Sequence, residues 1–588
     1  MSLEKLLLLV RTLKHLRWEQ LAYRPLRVSQ FKLYRLLPQL AFRPTEIGST
    51  ASSVSPESVG TIRRVFNEQF AHLNTPLVEF DETLADLEQN RFTFLNRSLT
   101  IQPMGWNQRH DSHLWNYQLH YFNFAPLAAR VLVERGEASA WNACRRLIES
   151  WIDEARVGRS DGWDAYPISL RVVNWIYAYA LVAETEDEKF LARWRASMFD
   201  QLGFLRRHPE RHLLANHLLK NVKALVLGGL FFQNESWLAA GEKMLWRELD
   251  EQVLPDGGHY ERAPMYHAQV LADFLESYAL LRAFGRTEPN QKIEARLRAM
   301  AGVLLAMSYP DGTLALFNDS ANTVETRPQP ILETASRVVE SIPRTATNFP
   351  QTGYYLWASA DKREKIIVDA GEPSVDYNTA HAHCDLLSYE LWLDGQPFIV
   401  DSGVHGYGGD RFREYCRSTR AHNTVMFDGI EQSEVWSTFR MARQAKPISM
   451  DVSGDANSWS FCGRFERYDG GVIHQRQIHR SETCVWTITD SADGNVAMAS
   501  SFVHLHPSVE AELVEKTKIL CRLGNRQVMI EAFSDPKIAI SAKLIRGCQS
   551  PVQGWHFSDF GVSLPSAAIQ FDYQIIRSNK FGYRIRLS

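Results

Sequence analysis

Apolar residues recur at three- and four-residue steps from about residue 110 to 343. In ASAWNACRRLIESWIDEA, Trp141, Cys144, Leu147, Ile148, Trp151 and Ile152 fall on one face, the period of an amphipathic helix. SLRVVNWIYAYALVA, NHLLKNVKALVLGGLFF, HAQVLADFLESYALLRAF and ARLRAMAGVLLAMS repeat the pattern, separated by turn signals such as Asp256-Gly257-Gly258 and Pro310-Asp311-Gly312. Helical hairpins in succession, with no strands between them, predict an (α/α) toroid or solenoid. After about residue 350 the period changes to two. KIIVDAG, LSYELWLDGQPFIVDSG, NTVMFDG, TCVWTITD, RQVMIEAF, AIQFDYQII and YRIRLS predict many short strands and an antiparallel β-sandwich. The expected organisation is α+β and multidomain: a basic arm and linker over 1–60, a helical toroid over 61–345, and a β-sandwich over 346–588.

Residues 1–43 carry nine Lys or Arg against two Glu, a local charge of +7 interleaved with Leu, Trp18, Tyr23, Phe31 and Tyr34. Two readings stay open: contact with an anionic membrane, or a helical arm packed on its own protein. TEIGSTASSVSPESVG, residues 45–60, reads as a linker. The apolar run Leu6–Val10 is too short for a secretory core or a membrane span, so a cytoplasmic or peripheral inner-membrane location is expected, with the periplasm as the alternative.

Composition narrows the field in other ways. The chain has 588 residues, is 45% hydrophobic and has a formal net charge of −3, so no global field recruits nucleic acid or another polyanion. The seven cysteines are widely spaced with no CxxC, which favours a reducing compartment over a disulfide framework or a Cys-rich zinc site. Ten of the 16 Trp fall before residue 250, suited to aromatic-lined clefts that bind carbohydrate.

Candidate chemistry concentrates in four stretches. In HAHCDLLSYELWLDGQPFIVDSG, residues 381–403, His381, His383 and Asp385 share a face of an extended chain. Asp401 ends the next strand, and His422 opens another in Ala421-His422-Asn423-Thr424. His383, Asp401 and His422 on neighbouring strands suit tetrahedral zinc; His405 competes with His422. Asn216-His217 sits at a helix start, where Asn216 also reads as a cap. The Gly-rich turn Asp256–His267 brings Tyr260, Arg262 and Tyr266 to a helix start, and Gly162–Trp175 sets aromatics beside Arg171 and Asn174. Arg413, Arg417 and Arg420 precede His422 and read either as a bidentate grip on an acidic sugar or as a salt-bridged loop.

Taken in order, Asn216-His217, Pro264-x-Tyr266-His267, HxHxD at 381–385, DSG at 401–403 and AHNTV at 421–425 resemble the heparinase II/III family of polysaccharide lyases, relatives of alginate and oligo-alginate lyases. WNYQLHYFNF and AYPISLRVVNW resemble the branch found with bacterial exopolysaccharide and lipopolysaccharide genes. The resemblance implies β-elimination on a uronate glycan: Asn216 and His217 neutralise the carboxylate, Tyr266 is the acid and sometimes the base, and His381 is the partner base. It implies one structural zinc on His383, Asp401 and His422. Sugar contacts are expected from Arg171, Asn174, Tyr260, Arg262, Arg417 and Arg420, and the partner is an anionic polysaccharide or oligosaccharide. Two other classes stay open: a glycoside hydrolase using two of Asp161, Asp164, Asp256 and Glu261, and a non-catalytic glycan-binding or assembly protein.

Overall fold

A computed structural model describes residues 2–73, 81–342, 347–455, 457–481, 483, 485–576 and 580–587. The expected boundary at 345/346 lies outside the described residues. The helices between His113 and Val339 come in two kinds. Ala165–Val182, Ala215–Phe231 and Pro264–Ala283 are buried around nearly their whole circumference. Ser139–Glu154, Glu188–Arg207 and Glu235–Gln252 alternate with them along the chain and bury chiefly one face. An all-apolar helix needs neighbours on every side and a striped one needs a single neighbour, so the first kind forms the inner ring of a toroid and the second its outer ring. A short hairpin, Arg91–Phe94 with Arg97–Thr100, precedes the ring.

The C-terminal half is antiparallel. Asn348–Phe349, Tyr354–Ala358, Lys365–Asp369, Ser388–Leu393 and Gln396–Ile399 form a five-stranded meander. An eight-stranded and a four-stranded sheet complete the sandwich. Ile366 and Val368 of the first sheet, Phe461, Ile488 and Ile530 of the second, and Val503 and Ile569 of the third share one apolar core.

The segment expected as linker is partly helical. Ser55 caps Pro56–Val65 through its side chain, Pro56 stands at the first helical position, and Val59, Ile62 and Val65 are buried. The arm forms two helices, Leu3–Leu13 and Trp18–Leu36, and it packs on both domains. Tyr34 belongs to the toroid core, and Arg17 pairs with Glu251 and lies 3.7 Å over the Tyr377 ring. Arg11 pairs with Glu434 at 2.6 Å, and Trp436 donates its indole N–H to Thr12 Oγ1.

The toroid meets the sandwich at the 253–264 turn. Asp256 accepts hydrogen bonds from the backbone N–H groups of Gln351 and Thr352, both at 2.8 Å, and from Thr352 Oγ1 at 2.6 Å. A Cβ on Gly258 would stand 1.7 Å from Thr352 Oγ1, so only glycine allows this approach.

Candidate active site

The inner helices deliver their first residues to the toroid rim facing the sandwich. Ahead of Ala215–Phe231, Leu214 and Ala215 both adopt positive φ, 63° and 50°. Two such residues in succession are costly, and the strain sits where Asn216 and His217 are aimed. His217 packs its ring on Tyr166 at 4.4 Å, and Glu210 Oε2 lies 3.4 Å from its Nδ1. The Asn216 amide, 3% exposed, has no hydrogen-bond partner among the described residues.

From the next inner helix, Tyr266 stacks on His381 with ring centroids 4.0 Å apart, and its hydroxyl meets that of Tyr407 at 2.7 Å. Burial, with Tyr407 and Asp319 nearby, pushes the Tyr266 hydroxyl well above the ordinary tyrosine value, so it keeps its proton. Glu261 stands between the two halves of the motif set: His381 Nε2 lies 3.9 Å from its Oε1, and His217 also acts on its carboxyl.

Asp319 organises the sandwich side. Its carboxylate takes His381 Nδ1 at 2.9 Å, His383 Nε2 at 2.8 Å, and both terminal nitrogens of Arg413. Burial alone would raise this carboxyl, but Arg413, His381 and His383 outweigh it and hold Asp319 far below the usual carboxylate range. An ionised carboxylate only accepts hydrogen bonds, so His381 carries its proton on Nδ1 and His383 on Nε2. The lone pair of His381 is then on Nε2, which lies 3.9 Å from Glu261 Oε1.

The same reasoning completes a ligand cluster. Asp401 holds His422 Nδ1 at 2.7 Å, which turns the lone pair of His422 to Nε2. His383 Nδ1 and His422 Nε2 are buried without partners. Ligand-capable atoms of His383, Asp385 and His422 lie within 4.8 Å of one another. Two imidazole lone pairs and a carboxylate fit the donor set of zinc, each imidazole backed by a carboxylate. The expected third ligand changes: Asp401 stands behind His422, and Asp385 occupies the position facing both rings. His405 is elsewhere, against Phe412 and Phe557.

Most of the expected sugar contacts are corrected. Arg171 is fully buried; its guanidinium bonds Gln201, the His120 carbonyl and the Gly162 carbonyl and stacks on Trp151, as a strut between inner and outer helices. Asn174 braces the Tyr121 carbonyl and Asn123. Arg262 ties the turn to the carbonyls of Thr352 and Gln351. Arg417 is spent on the carbonyls of Ala382, Thr379 and Ser437, which fixes the backbone between His381 and His383. Tyr260 is buried, with its ring 6.3 Å from that of Tyr377. Arg420 is half-buried and makes no ion pair among the described residues.

Asp319, Glu210 and Tyr407 were not singled out from the sequence. The polar triplet Asn318-Asp319-Ser320 interrupting the apolar LALF run was the available signal. Asn318, at φ 55°, bonds Asp385 through its N–H and the His383 N–H through its side chain.

A helical toroid whose inner-helix starts face a His-rich sandwich rim defines the toroid-and-sandwich class of fold. The chain belongs to the heparinase II/III-like family: the heparinase II/III N-terminus model matches residues 80–343, and the heparinase II/III-like C-terminal model matches 341–575. A heparin-sulfate lyase of Pedobacter heparinus is 26% identical over 318 residues, 49% of this chain and 47% of the relative. FtsZ-localized protein C of Caulobacter vibrioides is 28% identical over 295 residues, 48% of this chain and 47% of the relative. The chain therefore aligns with about half the length of these curated relatives. The crystal structure of heparinase III superposes with a TM-score of 0.71 at 17% identity, over 95% of this chain and 88% of that one, a likeness of fold.

Proposed function

We propose that this protein cleaves a uronate-containing polysaccharide by β-elimination. The stacked Tyr266–His381 pair, with the His381 tautomer set by Asp319, carries the proposal. The C5 proton of a uronate is weakly acidic until the neighbouring carboxylate is neutralised, a task for donors preorganised on Asn216 and His217. His381 Nε2 then takes the C5 proton, and the protonated Tyr266 hydroxyl supplies a proton to the departing O4. The lyase relative is named for an acidic glycan, which supports this substrate class. The four carboxylates of the hydrolase alternative are engaged elsewhere, Asp164 by the Tyr117 hydroxyl at 2.6 Å. Asp161 pairs with Arg109, Asp256 anchors the domain joint, and Glu261 is buried against Asn378. Ultraviolet absorbance of a C4–C5 double bond, followed on a panel of uronate glycans, tests the reading.

Zinc fits the cluster of His383, Asp385 and His422. When bound there it would supply a fixed anchor, and the chain's own residues would hold the loop bearing His381. The likeness to FtsZ-localized protein C, which is not named as a lyase, supports a second reading, an assembly role. Glycan binding with no unsaturated product on any substrate would support that role.

The arm supports peripheral contact with an anionic membrane. Its inner face is packed on the protein, whereas Leu3, Leu6, Leu7, Val10, Trp18 and Leu21 are exposed beside its basic residues. No helix among the described residues is long and apolar enough to cross a membrane. Co-sedimentation with anionic but not neutral vesicles, lost in a Leu6→Glu/Leu7→Glu variant, is the expected result.

A further inference from the structure

The arm lies outside both stretches matched to the family, yet it roofs a cavity beside the cleft. The cavity measures about 450 Å³. Arg27, Lys32 and Arg35 of the arm line it, facing Tyr117, Asp164 and Glu210 of the toroid. This size suits a small ligand rather than a few waters.

Arg27 is unusual among these residues. It is only 8% exposed, and one terminal nitrogen donates to the His208 carbonyl. The other, Nη1, is buried with no partner. A buried cationic donor left unpaired is unfavourable, so an acceptor entering the cavity would be favoured there. Glu210 and Asp164 act on Arg27 through space without bonding it. The Asp164 carboxylate instead takes the Tyr117 hydroxyl at 2.6 Å. Lys32 and Arg35 are exposed at the mouth.

The cavity is joined to the catalytic cleft by shared residues. Glu210 lines the cavity and also approaches His217 Nδ1. Ala165 lines it too, and the next residue, Tyr166, carries the His217 ring. Three cationic groups beside a phenol and two carboxyl groups match the chemistry of one acidic sugar residue, whose carboxylate needs the cations and whose hydroxyls can donate to the acceptors Glu210 and Asp164. We propose that this cavity is a subsite for an acidic sugar residue of the bound glycan, walled on one side by the N-terminal arm. The proposal rests on the lyase reading for the identity of the glycan and extends it to a part of the chain outside the two stretches matched by the family models.

The test is calorimetric titration of the full chain carrying Tyr266→Phe, so that turnover is slowed during the titration. The probes are heparosan, chondroitin and alginate tetrasaccharides, each with its carboxyl-reduced neutral counterpart. Arg27→Gln is expected to raise Kd for the acidic tetrasaccharide that binds by about 10-fold or more, and to leave Kd for the neutral form unchanged. Because Arg27 also holds His208, the exposed double variant Lys32→Glu/Arg35→Glu is measured alongside, with the same expectation and an unchanged melting curve. Affinities within two-fold of the parent in both variants would overturn the subsite, as would failure of every acidic tetrasaccharide to bind. Binding that depends on Arg27, without unsaturated product from the unmutated chain, would sink the lyase reading and leave the subsite standing. Turnover with binding indifferent to the variants would do the reverse.

Discussion

Tyr266 and His381 stack at 4.0 Å, although one opens a toroid helix and the other lies on a sandwich loop. Their geometry is therefore set by how the two domains dock. Tyr266→Phe keeps the ring contact and removes the proton. Turnover is expected to fall by about 10²- to 10⁴-fold with KM changed little, the size of an acid–base contribution. Full activity in this variant would remove Tyr266 from the mechanism.

Asp319 accepts from two imidazoles and one guanidinium inside the protein. Asp319→Asn leaves Arg413 buried without its counter-charge and releases both imidazole tautomers. A loss of about 3–5 kcal/mol in unfolding free energy is expected from denaturant titration, together with loss of activity at temperatures where the variant is still folded. A variant as stable as the parent would contradict the hub.

Metal analysis of the protein purified without added metal is expected to find about one zinc per chain. His383→Ala and Asp385→Ala are expected to abolish it. Asp401→Ala, which acts behind His422, is expected to weaken zinc binding by about 10- to 100-fold. Chelation is expected to lower the melting temperature. Metal-free protein that gains no stability on zinc addition would remove the site.

Burial drives the Asp164 carboxyl from 3.8 up to about 7, against the lowering effect of the Tyr117 hydroxyl bond; Glu210 and Asp161 add to the rise and Arg27 opposes it. The folded state thus holds this proton more tightly than the unfolded chain does. The stability from this group is complete below about pH 4 and is lost as pH rises to about 7. Asp164→Asn cannot titrate, so its stability relative to the parent is expected to increase from pH 4 to about 7 and to level off above. A difference independent of pH would contradict the assignment.

Much of this was legible because period and motif order are local properties. The change from helical to alternating pattern near residue 350 marks the fold, and the paired motifs mark Tyr266, His381, His383 and His422. What was not legible depends on distance. Arg171, Arg262 and Arg417 read as sugar contacts because the carbonyls that absorb them, such as Gly162, Thr352 and Ala382, are known only once the chain is folded. Asp385 takes the place expected of Asp401 because the fold of the loops, not spacing, decides which carboxylate faces both imidazoles. Asp319 was hidden in a loop far in sequence from every group it binds.

The central claim is elimination, and the mass of the products tests it most directly. Elimination moves a proton and breaks the C4–O4 bond without consuming water, so the two fragments of a defined acidic oligosaccharide are expected to sum to the mass of the parent. The fragment with the new non-reducing end is expected to be unsaturated, and Tyr266→Phe is expected to yield neither fragment at a comparable rate. Fragments that sum to the parent plus one water would show hydrolysis and contradict the account.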